Sequence, residues 1–257
     1  MSMTMVEIEK QLKDLRLSGM LATLESRALQ ASQCNAVLVE ALSWLLQDEM
    51  DHRSSNLRQR RFKASGLTEM KTLTEFDWSF NPKLPKREIY ELVTAKFIQN
   101  GEHALLIGAP GTGKSHIAKT IAHASIQLFQ KTVYREAHVF FEDMFEAEQT
   151  GKTKKILKLF SEADLLIIDD LFLRKKMPSD AADYLLDIII NRYSKRKSTV
   201  ITSNRPIEDW GLLLKDNAAS SAILDRLLHH GHLLKFEGKS YRLKEAAKRL
   251  SQIKDEK

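Results

Sequence analysis

The chain has 257 residues, 43% of them hydrophobic, with 10 glycines and 5 prolines; this is enough apolar material for one medium domain with an appendage, and too little Gly and Pro for a fibrous or disordered chain. A formal charge of +6 is compatible with a polyanionic partner, because Lys and Arg gain by displacing the counterions of phosphates, but charge alone does not separate a nucleic-acid binder from a mildly basic enzyme. The lone cysteine, Cys34, excludes an internal disulfide, and no apolar run approaches the roughly 20 residues that cross a bilayer, so a soluble cytoplasmic protein with no membrane partner is expected.

Residues 1–68 read as a small all-helical N-terminal domain. Ile8, Leu12 and Leu15 recur at helical spacing up to a polar break at Ser32–Asn35, and Leu38, Leu42, Leu45 and Leu46 begin a second series. No Pro or Gly interrupts residues 21–65, so the second helix is predicted to be long. Its far end concentrates positive charge in Arg58, Arg60, Arg61 and Lys63, either a solvated face or a phosphate-contacting arm. Between Gly66 and Arg87 the periodicity is lost, and Pro82 and Pro85 mark the boundary to a second domain, 69–257. From there, Ala104–Ile107, Thr132–Tyr134, Leu165–Ile168, Thr199–Thr202 and Leu233–Phe236 alternate with helical stretches. That alternation predicts an α/β fold with a five-stranded parallel sheet flanked by helices.

The first strand candidate runs into Gly108, Ala109, Pro110, Gly111, Thr112, Gly113, Lys114 and Ser115, which satisfies G-x-x-x-x-G-K-[ST], and into His116 behind it. In this pattern the glycines let successive backbone N–H groups turn inward onto phosphate oxygens at the start of a helix. Lys114 would reach the β and γ phosphates of ATP, and Ser115 would ligate Mg²⁺. The third strand candidate ends in Asp169 and Asp170, delivering two carboxylates to the sheet edge where open α/β folds bind ligands. Asp169 fits a Mg²⁺-holding acid and Asp170 a group that orients or activates the attacking water. Asn204, after the fourth strand, either brings an amide to the same edge or only forms the turn before Arg205-Pro206. Arg226 stands among apolar neighbours in Ile223–His229, beside Asp225, its alternative salt-bridge partner. Lys152, Lys154 and Lys155, and Arg174, Lys175 and Lys176 just past the Asp pair, form two further basic clusters that are candidates for DNA backbone contact. His229, His230 and His232 have no metal-ligand spacing and are expected in a structural turn.

The order of these motifs, together with Leu73–Asp77 ahead of the glycine loop and Ser240–Arg242 near the end, resembles the AAA+ branch that holds the helicase loader DnaC and the transposition helper IstB. The softer features are more similar to IstB. The resemblance implies that Asn204 is the sensor-1 amide, Arg226 an arginine finger offered to the nucleotide of an adjacent subunit, and Arg242 the sensor-2 arginine. It implies an ATPase that forms a homo-oligomer on double-stranded DNA and recruits or stimulates a partner transposase, with a DnaC-like helicase loader as the alternative. A nucleotide-dependent scaffold that barely hydrolyses ATP is a third reading, because Asp170 stands where many AAA+ proteins carry Glu. Only about twenty residues follow the last strand, so the helical lid of most AAA+ proteins is expected to be minimal or absent.

Overall fold

The structure, a computed structural model, describes residues 4–173 and 177–255, with side chains through Leu250. The chain forms two compact units, Met1–Arg60 and Arg61–Lys257. No described helix is long and apolar enough to cross a membrane.

In the first unit, α1 (Met5–Asp14) opens with a capping box between Thr4 and Glu7. It is followed by α2 (Ser18–Cys34) and by α3 (Leu38–Ser65), whose last residues belong to the second unit. The sequence periodicity predicts a single helix up to Ser32, and the structure corrects this. The backbone turns left-handed at Arg16, φ 58°, with no Gly or Pro to announce the break. The predicted long helix is α3, and Asn35, a residue type that tolerates the left-handed region, closes α2 ahead of it. The Glu49 carboxylate accepts the Gly19 and Met20 N–H groups, at 2.6 and 3.1 Å, and so caps α2 from α3. Arg27 grips Asp48 with two bonds of 2.7 Å, which hold that carboxyl at about 2.

The second unit is built on a sheet ordered β2-β3-β4-β1-β5, every neighbour parallel. The strands are β1 (His103–Gly108), β2 (Thr132–Glu136), β3 (Leu165–Leu171), β4 (Ser198–Ser203) and β5 (Gly231–Phe236), all five where the sequence predicts them and each longer. Helices α4 (Lys86–Val93), α5 (Phe97–Asn100) and α6 (Lys114–Gln127) cover one face. The other face packs α7 (Ala137–Gln149), α8 (Thr153–Glu162), α9 (Ala181–Ser194), α10 (Trp210–Leu214) and α11 (Asn217–His229), and α12 (Tyr241–Asp255) ends the chain. Side chains alternate along the strands. Leu105, Leu166, Ile168 and Ile201 enter the core with Phe140, Ile188 and Trp210, while Ala104, Leu106, Ile167 and Val200 enter the one with Ile117 and Ile121. Burial on both faces is why these strands read as continuous apolar runs. The histidine turn is also corrected: His229 ends α11 and His232 lies on β5.

Arg192 of α9 is wholly buried without a carboxylate partner among the described ion pairs. Its guanidinium donates instead to the carbonyls of Phe160, Ala163 and Ser198 and to the Thr199 hydroxyl, tying the end of α8 to the start of β4.

Candidate nucleotide site

The loop joining β1 to α6 is shaped by its glycines. Gly111 and Gly113 sit at φ 76° and 104°, conformations that glycine adopts without steric cost. The space beside them is also taken. A Cβ on Gly111 would fall 2.1 Å from Ser240 Oγ, and one on Gly113 would fall 2.6 Å from the Phe76 ring. Gly113 then caps α6, whose first turn presents free N–H groups and the positive end of the helix dipole. Lys114 is only 4% exposed, and its ammonium donates to the Gly108 and Ala109 carbonyls at 2.8 Å each. Burial lowers its pKa, and the nearby Asp170 and Asp169 carboxylates oppose that shift.

The loop floors a cavity of about 320 Å³. Pro110 to His116 line it, together with Asp170 from β3, Asn204 from beyond β4 and Arg242 from the first turn of α12. Gly108 and Ala109 contribute the carbonyls that hold Lys114. The His116 ring nitrogen is 2.9 Å from the Thr72 carbonyl, which fixes the ring beside Phe76.

The two acids have different surroundings. Asp169 is 2% exposed, its Oδ1 accepting the Thr202 hydroxyl and its Oδ2 the Tyr134 hydroxyl, both at 2.5 Å. Asp170 lines the cavity at φ 56°, beside a register shift in the β3–β4 ladder, and its N–H donates to Thr202 Oγ1 at 2.8 Å. Burial and then the Asp169 charge raise the Asp170 pKa, against Lys114 and Arg242, which lower it. The turn at Asn204 is pinned by Ser203, whose hydroxyl donates to the Leu171 carbonyl and accepts the Arg205 N–H. The Asn204 amide oxygen is buried with no hydrogen-bond partner among the described residues, an acceptor that needs a donor brought in from outside.

Arg226 lies on α11 outside this cavity, its guanidinium donating to the Ala222 carbonyl in its own helix. Arg58, Arg60, Arg61 and Lys63 lie on α3, and Lys152, Lys154 and Lys155 are exposed where α8 begins. Arg174, Lys175 and Lys176 lie outside the described residues.

Some contacts in and around the cavity are not read from the motifs. Tyr134 and Thr202 hold Asp169 from the strands on either side. Phe76 and Phe80 from ahead of the loop, with Tyr241 from the start of α12, give the cavity an aromatic wall. Asn81 grips the Lys239 backbone through both N–H and C=O, at 3.0 Å each, and Lys244 reaches Asp77 at 3.0 Å. The Tyr241 N–H donates to the Gly111 carbonyl at 2.9 Å, so the start of α12 is bonded directly to the loop. The start of α12 is thus held from the chain on the other side of the loop.

The donors here are those that Mg²⁺ prefers. Ser115 offers a hydroxyl and Asp170 a carboxylate to the cavity, and the buried Asp169 carboxylate precedes Asp170 on the same strand; all are hard oxygen donors.

Comparison with known proteins agrees with this geometry. The family model described as IstB-like ATP binding protein matches residues 10–249. The chain is 36% identical to the IS5376 insertion-sequence ATP-binding protein of Geobacillus stearothermophilus, covering 93% of this chain and 94% of that one. It is 31% identical to the IS21 ATP-binding protein of Pseudomonas aeruginosa over 95% and 91%. Among solved structures it resembles a DNA replication initiation factor, with a TM-score of 0.56 at 22% identity over 73% of this chain and 56% of that one. It also resembles the DnaC helicase loader, with a TM-score of 0.52 at 22% identity over 69% and 99%. At such identities the structural likeness establishes the fold alone. Family and relatives converge on one conclusion: the chain belongs to the IstB-like ATP-binding proteins of insertion sequences.

Proposed function

We propose that this transposition-associated ATP-binding protein hydrolyses ATP and uses the nucleotide to govern a homo-oligomeric assembly on double-stranded DNA, which recruits or stimulates a partner transposase. The observation that carries this reading is the convergence of Lys114, Ser115, Asp170, Asn204 and Arg242 on one cavity at the carboxyl edge of the sheet. Lys114 leaves its two loop carbonyls for the β and γ phosphates, which the loop N–H groups also hold. Mg²⁺, when bound, neutralises charge on those phosphates, with Ser115 and Asp169 as its protein-side anchors. Asp170, its proton affinity raised by burial, accepts a proton from the attacking water as the γ-phosphoanhydride breaks, giving ADP and phosphate. Asn204 orients that water or the γ-phosphate, and Arg242 supplies positive charge from the first turn of α12. Arg226 lies outside its own cavity and serves the site of the next copy.

The helical N-terminal domain, 1–68, contacts DNA or the transposase, and the ATPase domain spans 69–257. The basic residues of α3 and the lysines that open α8 meet DNA phosphates. Lys152, Lys154 and Lys155 crowd the positive end of a helix dipole, an arrangement that an anion relieves. Contacts of this kind carry no sequence information, so binding is weakly specific and strongly salt-dependent. The relatives' names favour transposition over helicase loading, because the likeness to DnaC is one of fold.

The test is Lys114→Ala, measured for binding of a fluorescent ATP analogue and for phosphate release with and without duplex DNA. The expected result is loss of both. Retained binding in the variant, or an undetectable rate in the parent chain with DNA present, contradicts the reading.

A further inference from the structure

Resting on that reading, we propose that Tyr134 is a positioning residue for nucleotide hydrolysis: with Thr202 it fixes the Asp169 carboxylate by hydroxyl donation from the strands on both sides.

A carboxylate as deeply buried as Asp169 is costly unless its oxygens are hydrogen-bonded. Among the described residues no lysine or arginine forms an ion pair with it. Lys114, whose charge Asp169 senses, spends its bonds on the loop carbonyls. Asp169 instead receives one hydroxyl on each oxygen. Tyr134, on β2, pairs with Ile167, and its side chain reaches past that partner to Asp169, two residues on along the same face. Thr202 reaches Asp169 from β4.

The direction of each bond is settled by valence. Thr202 Oγ1 accepts the Asp170 N–H, so its proton is free to point at Asp169 Oδ1. Tyr134 has Asp169 Oδ2 as its acceptor and donates to it. With a hydroxyl donated to each oxygen the carboxylate is fixed in orientation, and each oxygen keeps a lone pair for a hydrated cation. Thr202 also joins the two acids, because movement of the Asp170 backbone displaces the hydroxyl that anchors Asp169. Three adjacent strands therefore contribute to the placement of one carboxylate.

A tyrosine here also fills space, since its ring lies in the core with Ile117 and Ile167. Tyr134→Phe keeps the ring and removes only the hydroxyl, which separates packing from positioning. The measurements are the affinity for a fluorescent ATP analogue in excess Mg²⁺ and in EDTA, and the Mg²⁺ concentration that gives half-maximal hydrolysis. We expect Tyr134→Phe to weaken binding in Mg²⁺ roughly tenfold and to raise the half-maximal Mg²⁺ concentration by a similar factor, with binding in EDTA unchanged. Thr202→Val should show the same signature, and Thr202→Ser should restore it. Affinity of Tyr134→Phe within twofold of the parent in Mg²⁺ overturns the assignment, as does an equal loss with and without Mg²⁺. Lys114→Ala serves as reference. If it binds nucleotide as the parent does, the ATPase reading itself fails; if it loses binding while Tyr134→Phe matches the parent, only the role of Tyr134 fails.

Discussion

Asn81→Ala probes how the start of α12 is held. The Asn81 amide makes two neutral hydrogen bonds of 3.0 Å to Lys239, immediately before α12. Lys239 is exposed, so water can replace the lost partner and no orphaned group remains. The cost is then the net worth of the two bonds, about 1 kcal/mol each. A loss of about 2 kcal/mol multiplies the undocked fraction of the α12 start roughly 30-fold. Hydrogen exchange reads this directly. The Tyr241 amide, bonded to the Gly111 carbonyl, should lose about 30-fold in protection, while amides of β1 and β3 keep theirs. Nucleotide affinity should fall, because Tyr241 and Arg242 line the cavity. Gly238→Ala should do the same by another route, since its Cβ would fall 2.2 Å from Asn81 Oδ1 at φ 147°. Unchanged protection at Tyr241 in Asn81→Ala refutes the clasp, and an equal loss throughout the sheet shows the residue to be a general stabiliser instead.

Arg226→Ala should leave nucleotide affinity of the dilute protein within twofold but reduce DNA-assembled hydrolysis by about 10³. Mixing it with Asp170→Asn should recover activity at interfaces that combine an intact arginine with an intact carboxylate; no recovery contradicts action between copies. His103 is 1% exposed, and burial pushes its pKa from the usual 6.5 to about 4. The folded state therefore excludes a proton that the unfolded state binds. Stability from this residue is complete above pH 6.5 and is lost as the pH falls toward 4, by about 2 kcal/mol at pH 5. His103→Asn keeps an acceptor for the Thr199 N–H and should flatten that part of the decline in urea unfolding between pH 7.5 and 5; a slope equal to the parent's refutes the assignment. Arg192→Lys replaces a four-bond fork with an ammonium that can make three bonds at most, and should cost roughly 3 kcal/mol and lower Tm by about 6–12 °C in a calorimetric scan. A shift under 2 °C contradicts that role.

The loop at 108–115 and the strands were legible because their signals are local. Consecutive backbone groups make the phosphate cradle, and each strand, buried on both faces, announces itself as an apolar run. The Asp pair was legible for the same reason, as the polar end of such a run. The break at Arg16 was not, because nothing in the residue type requires a left-handed backbone there. The partners of Asp169 were also hidden: Tyr134 lies 35 residues before it and Thr202 33 after it, and both read as ordinary strand residues. The Asn81 clasp joins positions 158 residues apart and leaves no periodic trace. Parallel pairing brings such residues together only once the strand order is known.

The left-handed backbone at position 170 bears on the identity of the acid there. A strand residue at φ 56° is sterically costly for most side chains, and Asp is among the few types that occupy this region with any frequency. Glutamate lacks that tolerance and would carry its carboxylate one methylene further out. The slip in the β3–β4 ladder thus favours the short acid: the kinked main chain that aims position 170 at the cavity is one that Asp adopts more readily than Glu.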